Sequence, residues 1–264
     1  MASYGPFEDI EVTVYNFVAT VEIQRPPFNY FDYALMQQIA EAFEACDQDS
    51  SVRSIVLCAQ GKAFCAGANF GDRKRSSENS DSGNHLYVEA VRLFKTSKPV
   101  IGAMHGAAVG GGLGLAMMPD FRVGCPESRF SANFTRLGFH PGFGLTYTLP
   151  RIIGEKNAEM MFYTSRRIKG EDAYRLGLLD EIVPQDQVRD AAKALAIEIA
   201  EASPLGVTQT RATMRVGIAD KVREATDFEL EIQNKLRVTK DFQEGVKAMA
   251  ERRVPNFTGT WDAA

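Results

Sequence analysis

The period of the hydrophobic positions changes several times along this chain, and each change marks an element. Ile10-Glu11-Val12-Thr13-Val14 alternates, as does Val18-Ala19-Thr20-Val21-Glu22-Ile23, which predicts two strands joined near Tyr15-Asn16. Arg25-Pro26-Pro27 breaks the alternation. Between residues 33 and 46, Leu35, Met36, Ile39, Ala42 and Phe43 keep helical spacing. Short apolar strands follow at 52–58 and 63–65, and a polar stretch at 72–84 reads as a mobile loop. Residues 85–94 are helical again, and 99–104 form a strand. Gly110-Gly111-Gly112 then opens an apolar helix that runs to 118. Strands at 120–123 and 129–131 follow, and Pro141-Gly142 begins another helix. Beyond about residue 185 the pattern is helical, over 186–202, 205–219 and 221–253.

This order predicts an α/β core over residues 1–200 and a helical C-terminal region over 201–264. Such a tail packs on a neighbouring subunit or folds back on its own core. At 264 residues the chain can bury a sizeable core. Its 45% apolar and 24% charged residues are ordinary for a globular protein. A net charge of -4 with no block of like charge gives no electrostatic footprint for nucleic acid. No apolar run reaches the ~18 residues of a membrane span, and the acidic start MASYGPFEDIEV lacks a signal-type apolar run. The four cysteines form no CxxC pair, and with three histidines they make no visible zinc cluster. The expectation is a cytoplasmic protein with reduced thiols, no membrane association and no metal.

Candidate chemistry sits at two glycine-rich points. One is Phe64-Cys65-Ala66-Gly67-Ala68-Asn69, and the other is His105-Gly106-Ala107-Ala108-Val109-Gly110-Gly111-Gly112-Leu113-Gly114. Each follows a predicted strand, and the second enters a helix directly. A helix N-terminus exposes unpaired N–H groups and partial positive charge. Two such donors facing one point stabilise an enolate or oxyanion. Either cluster alone is equally a tight helix–sheet contact. Neither carries the Lys-Ser/Thr of a phosphate loop or the GxGxxG of a dinucleotide fold.

The two points stand in a longer order. Arg25-Pro26 and Asn29 precede them, with Pro99-Val100-Ile101 between. Asp120, Leu137-Gly138, Pro141-Gly142, Leu149-Pro150-Arg151 and Leu176-Gly177-Leu178 follow. Asp241-Phe242-Gln243-Glu244-Gly245 and Arg253-Pro255-Phe257-Gly259 close the chain. In this order the chain resembles the crotonase superfamily, the enoyl-CoA hydratase/isomerase group, from about residue 10 to 260. The resemblance implies a crotonase-like ββα spiral core with helical C-terminal elements that trimerise, in a homotrimer or a hexamer built as a dimer of trimers. It implies an acyl-CoA thioester as substrate, with coenzyme A as part of it and no other cofactor. The thioester oxygen would sit between the N–H groups of Ala68 and Gly111. Ala66, Ala68, Asn69, Phe70 and Gly71 would line the thioester and pantetheine.

The chain departs from the family where hydration needs acid–base groups. Hydrating members carry one glutamate three residues after the central oxyanion glycine, and that position is Gly114 here. Their second glutamate falls at Phe134. Loss of positioned acid–base groups costs roughly 10²–10⁴-fold each, so hydration by two glutamates is not open to this chain. His140, in Gly138-Phe139-His140-Pro141-Gly142, is the replacement to consider, since imidazole titrates near neutral pH. A histidine bonded within its own turn is the alternative. Tyr147, His105, His85 and Asp72 are weaker candidates, each with a packing or solvated reading. Arg25 and the run Arg73-Lys74-Arg75 are candidate counter-charges for CoA phosphates, or solvated charge. Phe28, Tyr30, Phe31 and Tyr33 either roof a ligand or pack under the first helix. Two functions remain at this stage. One is an acyl-CoA lyase or isomerase with altered acid–base chemistry, including hydrolysis or C–C cleavage through His140. The other is a non-catalytic acyl-CoA-binding subunit.

Overall fold

A computed structural model describes residues 4–69 and 86–262. The first two strands, β1 (Ile10–Tyr15) and β2 (Val18–Ile23), form an antiparallel hairpin with Val12 opposite Val21. Asn16 and Phe17, both at positive φ, make its two-residue turn, the backbone that a right-twisted hairpin requires. Helix α1 (Tyr33–Gln48) starts at Asp32, whose carboxylate accepts from Leu35 N–H at 3.0 Å. Its apolar stripe lies buried on the sheet.

The chain then repeats one path. A strand joins a six-stranded sheet, the next strand joins a four-stranded sheet, and a helix follows. β3 (Ser54–Ala59) and β4 (Ala63–Cys65) precede α2 (Leu86–Leu93); β5 (Val100–Met104) and β6 (Ala107–Val109) precede α3 (Gly111–Ala116). β7 (Phe121–Gly124) and β8 (Arg129–Ser131) lead through a 3₁₀ turn (Thr135–Leu137) to α4 (Leu145–Ile153). α5 (Glu155–Thr164), β9 (Arg167–Lys169), α6 (Gly170–Arg175) and β10 (Glu181–Ile182) complete the core. The large sheet has the order β1-β2-β3-β5-β7-β10 and the small one β4-β6-β8-β9. β3 and β5 are buried throughout, as parallel strands covered on both faces must be. This is the ββα spiral expected from the resemblance.

Four helices follow: α7 (Val188–Glu201), α8 (Pro204–Met214), α9 (Ile218–Arg237) and α10 (Lys240–Ala250). α7 covers the large sheet at β3 and β5. α9 packs on α2 and α4, and α10 packs on the 3₁₀ turn, where Gly245 meets the Leu137 carbonyl. The last two helices therefore fold back on their own core. Along α8 only Arg211 is buried. It reaches Asp120, which also accepts from Arg215 at 3.0 Å and from Val100 N–H at 2.8 Å. Asp120 thus ties α8 to the end of α3, a structural role.

Several element boundaries differ from the pattern reading, among them the helix expected over 205–219, which ends at Met214 before the next starts at Ile218. The helix after Pro141-Gly142 begins three residues late, because Phe143 and Gly144 both have positive φ. The helix opened by Gly110 stops at Ala116, two residues short, ahead of Pro119. The run 221–253 is two helices, divided where Thr239 turns extended and caps α10 by accepting from Phe242 N–H at 3.2 Å. The predicted mobile loop at 72–84 lies outside the described residues.

Candidate active site

β4 and β6 run parallel, with Ala63 beside Ala107 and Cys65 beside Ala108. The two glycine-rich points therefore leave adjacent strands at the same end. Gly67 turns the first segment with φ +86° and packs against the Val109 carbonyl. A Cβ there would stand 2.7 Å from Val109 O and 3.7 Å from Gly111 N, so only glycine admits this approach. Gly110, at φ +57°, turns the second segment into α3. Gly67, the residue before Ala68, therefore stands against Gly111.

The N–H groups of Ala68 and Gly111 are both unpaired, for different reasons. Phe31 bridges Ala68 in parallel register, and Phe31 N–H donates to Gly67 O at 3.1 Å. In that register the Ala68 N–H points away from Phe31. Gly111 is the first residue of α3, where N–H groups lack an intrahelical acceptor. No described residue accepts from either group. Ala68 is exposed and Gly111 half-buried, so a ligand oxygen can reach two donors that cost nothing to uncouple. The Phe31 ring lies against the Gly111 Cα.

Beyond this pair the surroundings are aromatic. The position of Gly114 faces Phe143: a Cβ on Gly114 would stand 2.6 Å from Phe143 Cγ. Phe143 is fully buried at φ +66°, an unusual backbone for a bulky residue, and its ring meets Phe31 at 5.8 Å and Tyr87 at 6.5 Å. Phe134 is buried with its ring tip 3.8 Å from where a Gly110 Cβ would be. At both positions where the resemblance implies a carboxylate, an aromatic ring fills the space.

The turn that carries Phe143 is pinned by residues that the sequence reading missed. Glu229 of α9 is fully buried and accepts from Gly144 N–H (2.7 Å), Thr146 N–H (2.9 Å) and the Thr146 hydroxyl (2.7 Å). Gln233, one turn on, donates to the carbonyls of His140 (3.0 Å) and Pro141 (3.2 Å). Tyr87 is half-buried with its hydroxyl turned inward, donating to Gln233 Oε1 at 2.9 Å beside Gly142. Burial pushes the Glu229 carboxyl up to about 7 and the Tyr87 hydroxyl above its ordinary range. The sequence hides them, because their burial shows only in the fold. Val222, Thr226, Glu229 and Gln233 form one buried stripe at 4-3-4 spacing, with polar residues at positions a core helix gives to apolar ones.

The other candidates are placed as follows. His140 shares the turn, but its Nδ1 pairs with the carbonyl of its own neighbour Pro141 at 2.8 Å, and its ring stands edge-on to Phe228, 6.5 Å away. No contact among the described residues joins it to Ala68 or Gly111. Arg25 pairs with Asp9 at 2.5 Å and Asp32 at 2.7 Å, so a phosphate there would meet a cluster of net charge -1. Ala66 N–H donates to Phe28 O at 2.9 Å, and Asn69 is exposed beside Ala68. His105 pairs with Gly61 O at 3.1 Å, and burial holds its imidazole below the usual range. Tyr147 lies 5.4 Å under the Arg151 guanidinium. Burial pushes the Cys65 thiol up to about 12, which removes it as a nucleophile. Phe70, Gly71, Asp72, Arg73, Lys74, Arg75 and His85 lie outside the described residues. A cleft of about 850 Å³ opens at the opposite ends of β4 and β6, by Lys62 and His105, away from this site.

The family model for enoyl-CoA hydratase/isomerase matches residues 13–260. The chain belongs to the enoyl-CoA hydratase/isomerase family. It is 33% identical over 262 residues to a probable enoyl-CoA hydratase of Bacillus subtilis (strain 168), covering 95% of this chain and 98% of that one. It is 28% identical over 249 residues to 1,2-epoxyphenylacetyl-CoA isomerase of Escherichia coli (strain K12), covering 92% and 95%. The crystal structure of an enoyl-CoA hydratase/isomerase from Pseudoalteromonas atlantica T6c superposes with a TM-score of 0.85 at 24% identity, over 95% of this chain and 100% of that one. That likeness shows the family's fold. No described helix is long and apolar enough to cross a membrane.

Proposed function

We propose that this protein is a lyase or isomerase of acyl-CoA thioesters that polarises the thioester oxygen between the N–H groups of Ala68 and Gly111. One observation carries the reading: two backbone N–H groups with no acceptor among the described residues lie just past the same ends of adjacent parallel strands, one of them at a helix N-terminus. The relatives named as hydratases and isomerases support the substrate class. Deprotonation next to the thioester carbon gives an enolate, and the two donors stabilise its oxygen. Ala66 and Asn69 line the thioester side. Gly114 and Phe134 supply no carboxylate, so the proton is moved by another group. Of the described side chains on this turn, His140 alone offers an imidazole whose second nitrogen, Nε2, no described residue engages.

A second reading is favoured by the aromatic filling at Gly114 and Phe134. On it the protein binds acyl-CoA without turning it over. Incubation with crotonyl-CoA, longer enoyl-CoAs and 3-oxoacyl-CoAs in D₂O, read by mass spectrometry, separates the two. Deuterium at the α-carbon or a mass change of one water supports the enzyme, and its loss in His140→Ala with binding retained assigns the base. Binding without exchange or product supports the second reading.

We further propose a cytoplasmic homotrimer or hexamer. Four free, buried thiols support a reducing compartment. Leu205, Met214, Val216 and Phe228, exposed on and around α8 and α9, support a subunit contact there.

A further inference from the structure

We propose that Glu229 is a positioning residue that sets the length of the acyl pocket through Phe143. This rests on the reading of Ala68 and Gly111 as the thioester site. Gly114 lies one turn along α3 from Gly111 and faces the Phe143 side chain, so an acyl chain that runs from Gly111 N–H along this side of α3 meets the ring. A phenyl ring there shortens the space, and the site takes short acyl groups. The ring does not hold this place by itself. Its backbone is at φ +66°, which a bulky residue adopts only when its neighbours fix it. Glu229 supplies that fixing: its two oxygens take the N–H of Gly144, directly after Phe143, and both donors of Thr146. No basic side chain pairs with Glu229 among the described residues, so its charge is committed to this turn. Glutamine at 229 keeps one acceptor and turns an amide N–H towards a donor it must accept from, so one contact is lost and the turn loosens.

The test is the affinity of the protein for saturated acyl-CoAs of four, eight and twelve carbons, measured by calorimetry so that no turnover is needed. The wild type is expected to prefer the four-carbon thioester. Phe143→Ala should raise twelve-carbon affinity relative to four-carbon by at least tenfold, the scale of a few methylenes in an apolar pocket. Glu229→Gln should move the ratio the same way by a smaller factor, and should move it no further in the Phe143→Ala background. Thr239→Ala, which removes the cap of α10, serves as a destabilised control and should leave the ratio unchanged. A ratio unmoved by Glu229→Gln, or moved equally in both backgrounds, overturns the inference while thioester binding stands. A wild type that binds none of the three thioesters overturns the underlying reading instead.

Discussion

At the scale of single residues, the site depends on atoms that substitution can remove one at a time. Ala68→Pro deletes one N–H and leaves the Phe31–Gly67 bond intact, so any α-proton exchange should fall by about 10²–10³-fold. Exchange rates in D₂O at saturating thioester check this. Gly114→Glu restores the family's carboxylate in sequence only, because Phe143 occupies its space. Overpacking of this kind costs about 1–3 kcal/mol. The single variant should melt early without gaining hydration, and Phe143→Ala should relieve the loss. Glu229 links the site to pH. Its carboxyl is held up at about 7 in the fold, against an ordinary value near 4.5. The folded protein therefore binds this proton more tightly than the unfolded chain. The stabilisation that follows is full below the unfolded value and is lost as pH rises through about 7. Over that window the wild type should lose on the order of 3 kcal/mol relative to Glu229→Gln, at 1.4 kcal/mol per unit. Denaturant melts of both proteins at pH 5 and pH 8 give the difference.

At the scale of elements, α3 and α9 meet the proposed thioester site from opposite sides of one turn. α3 brings its unpaired N-terminus to the ends of β4 and β6, while α9 locks residues 140–146 from behind. The pattern of the sequence made the first half legible. Alternation, helical spacing and the punctuating glycines located the strands that lead into Gly67 and Gly110, while the pairing of Ala68 with Gly111 came from the family resemblance. The second half was hidden for a physical reason. Phe143 reads as an ordinary apolar residue, and its positive φ is imposed by partners about 60 to 90 residues away in sequence. Glu229 and Gln233 look like solvated positions of a charged helix until the turn they hold is known. Arg25 shows the same limit in the other sense, since a basic residue in a loop invites a phosphate and its pairing is not visible in the sequence. The carboxylates that neutralise it, Asp9 and Asp32, lie on neighbouring segments.

At the scale of the whole molecule, the fold provides a scaffold in which two adjacent strands of the small sheet present two loops at one end, and α9 holds the turn at residues 140–146. Exposed apolar side chains around α8 and α9 remain without partners in a single chain. Light scattering at micromolar concentration should therefore give three or six times the 29.1 kDa chain mass, and Leu205→Glu with Met214→Glu should lower it. The central claim is that a thioester oxygen is polarised by Ala68 and Gly111 whether or not a proton is then moved. It is tested most directly by the carbonyl ¹³C resonance of [1-¹³C]crotonyl-CoA bound to the protein. A downfield shift on binding that is lost in Ala68→Pro is the result this structure predicts. A bound thioester whose carbonyl resonates as it does in free solution, or whose shift survives in Ala68→Pro, would contradict it.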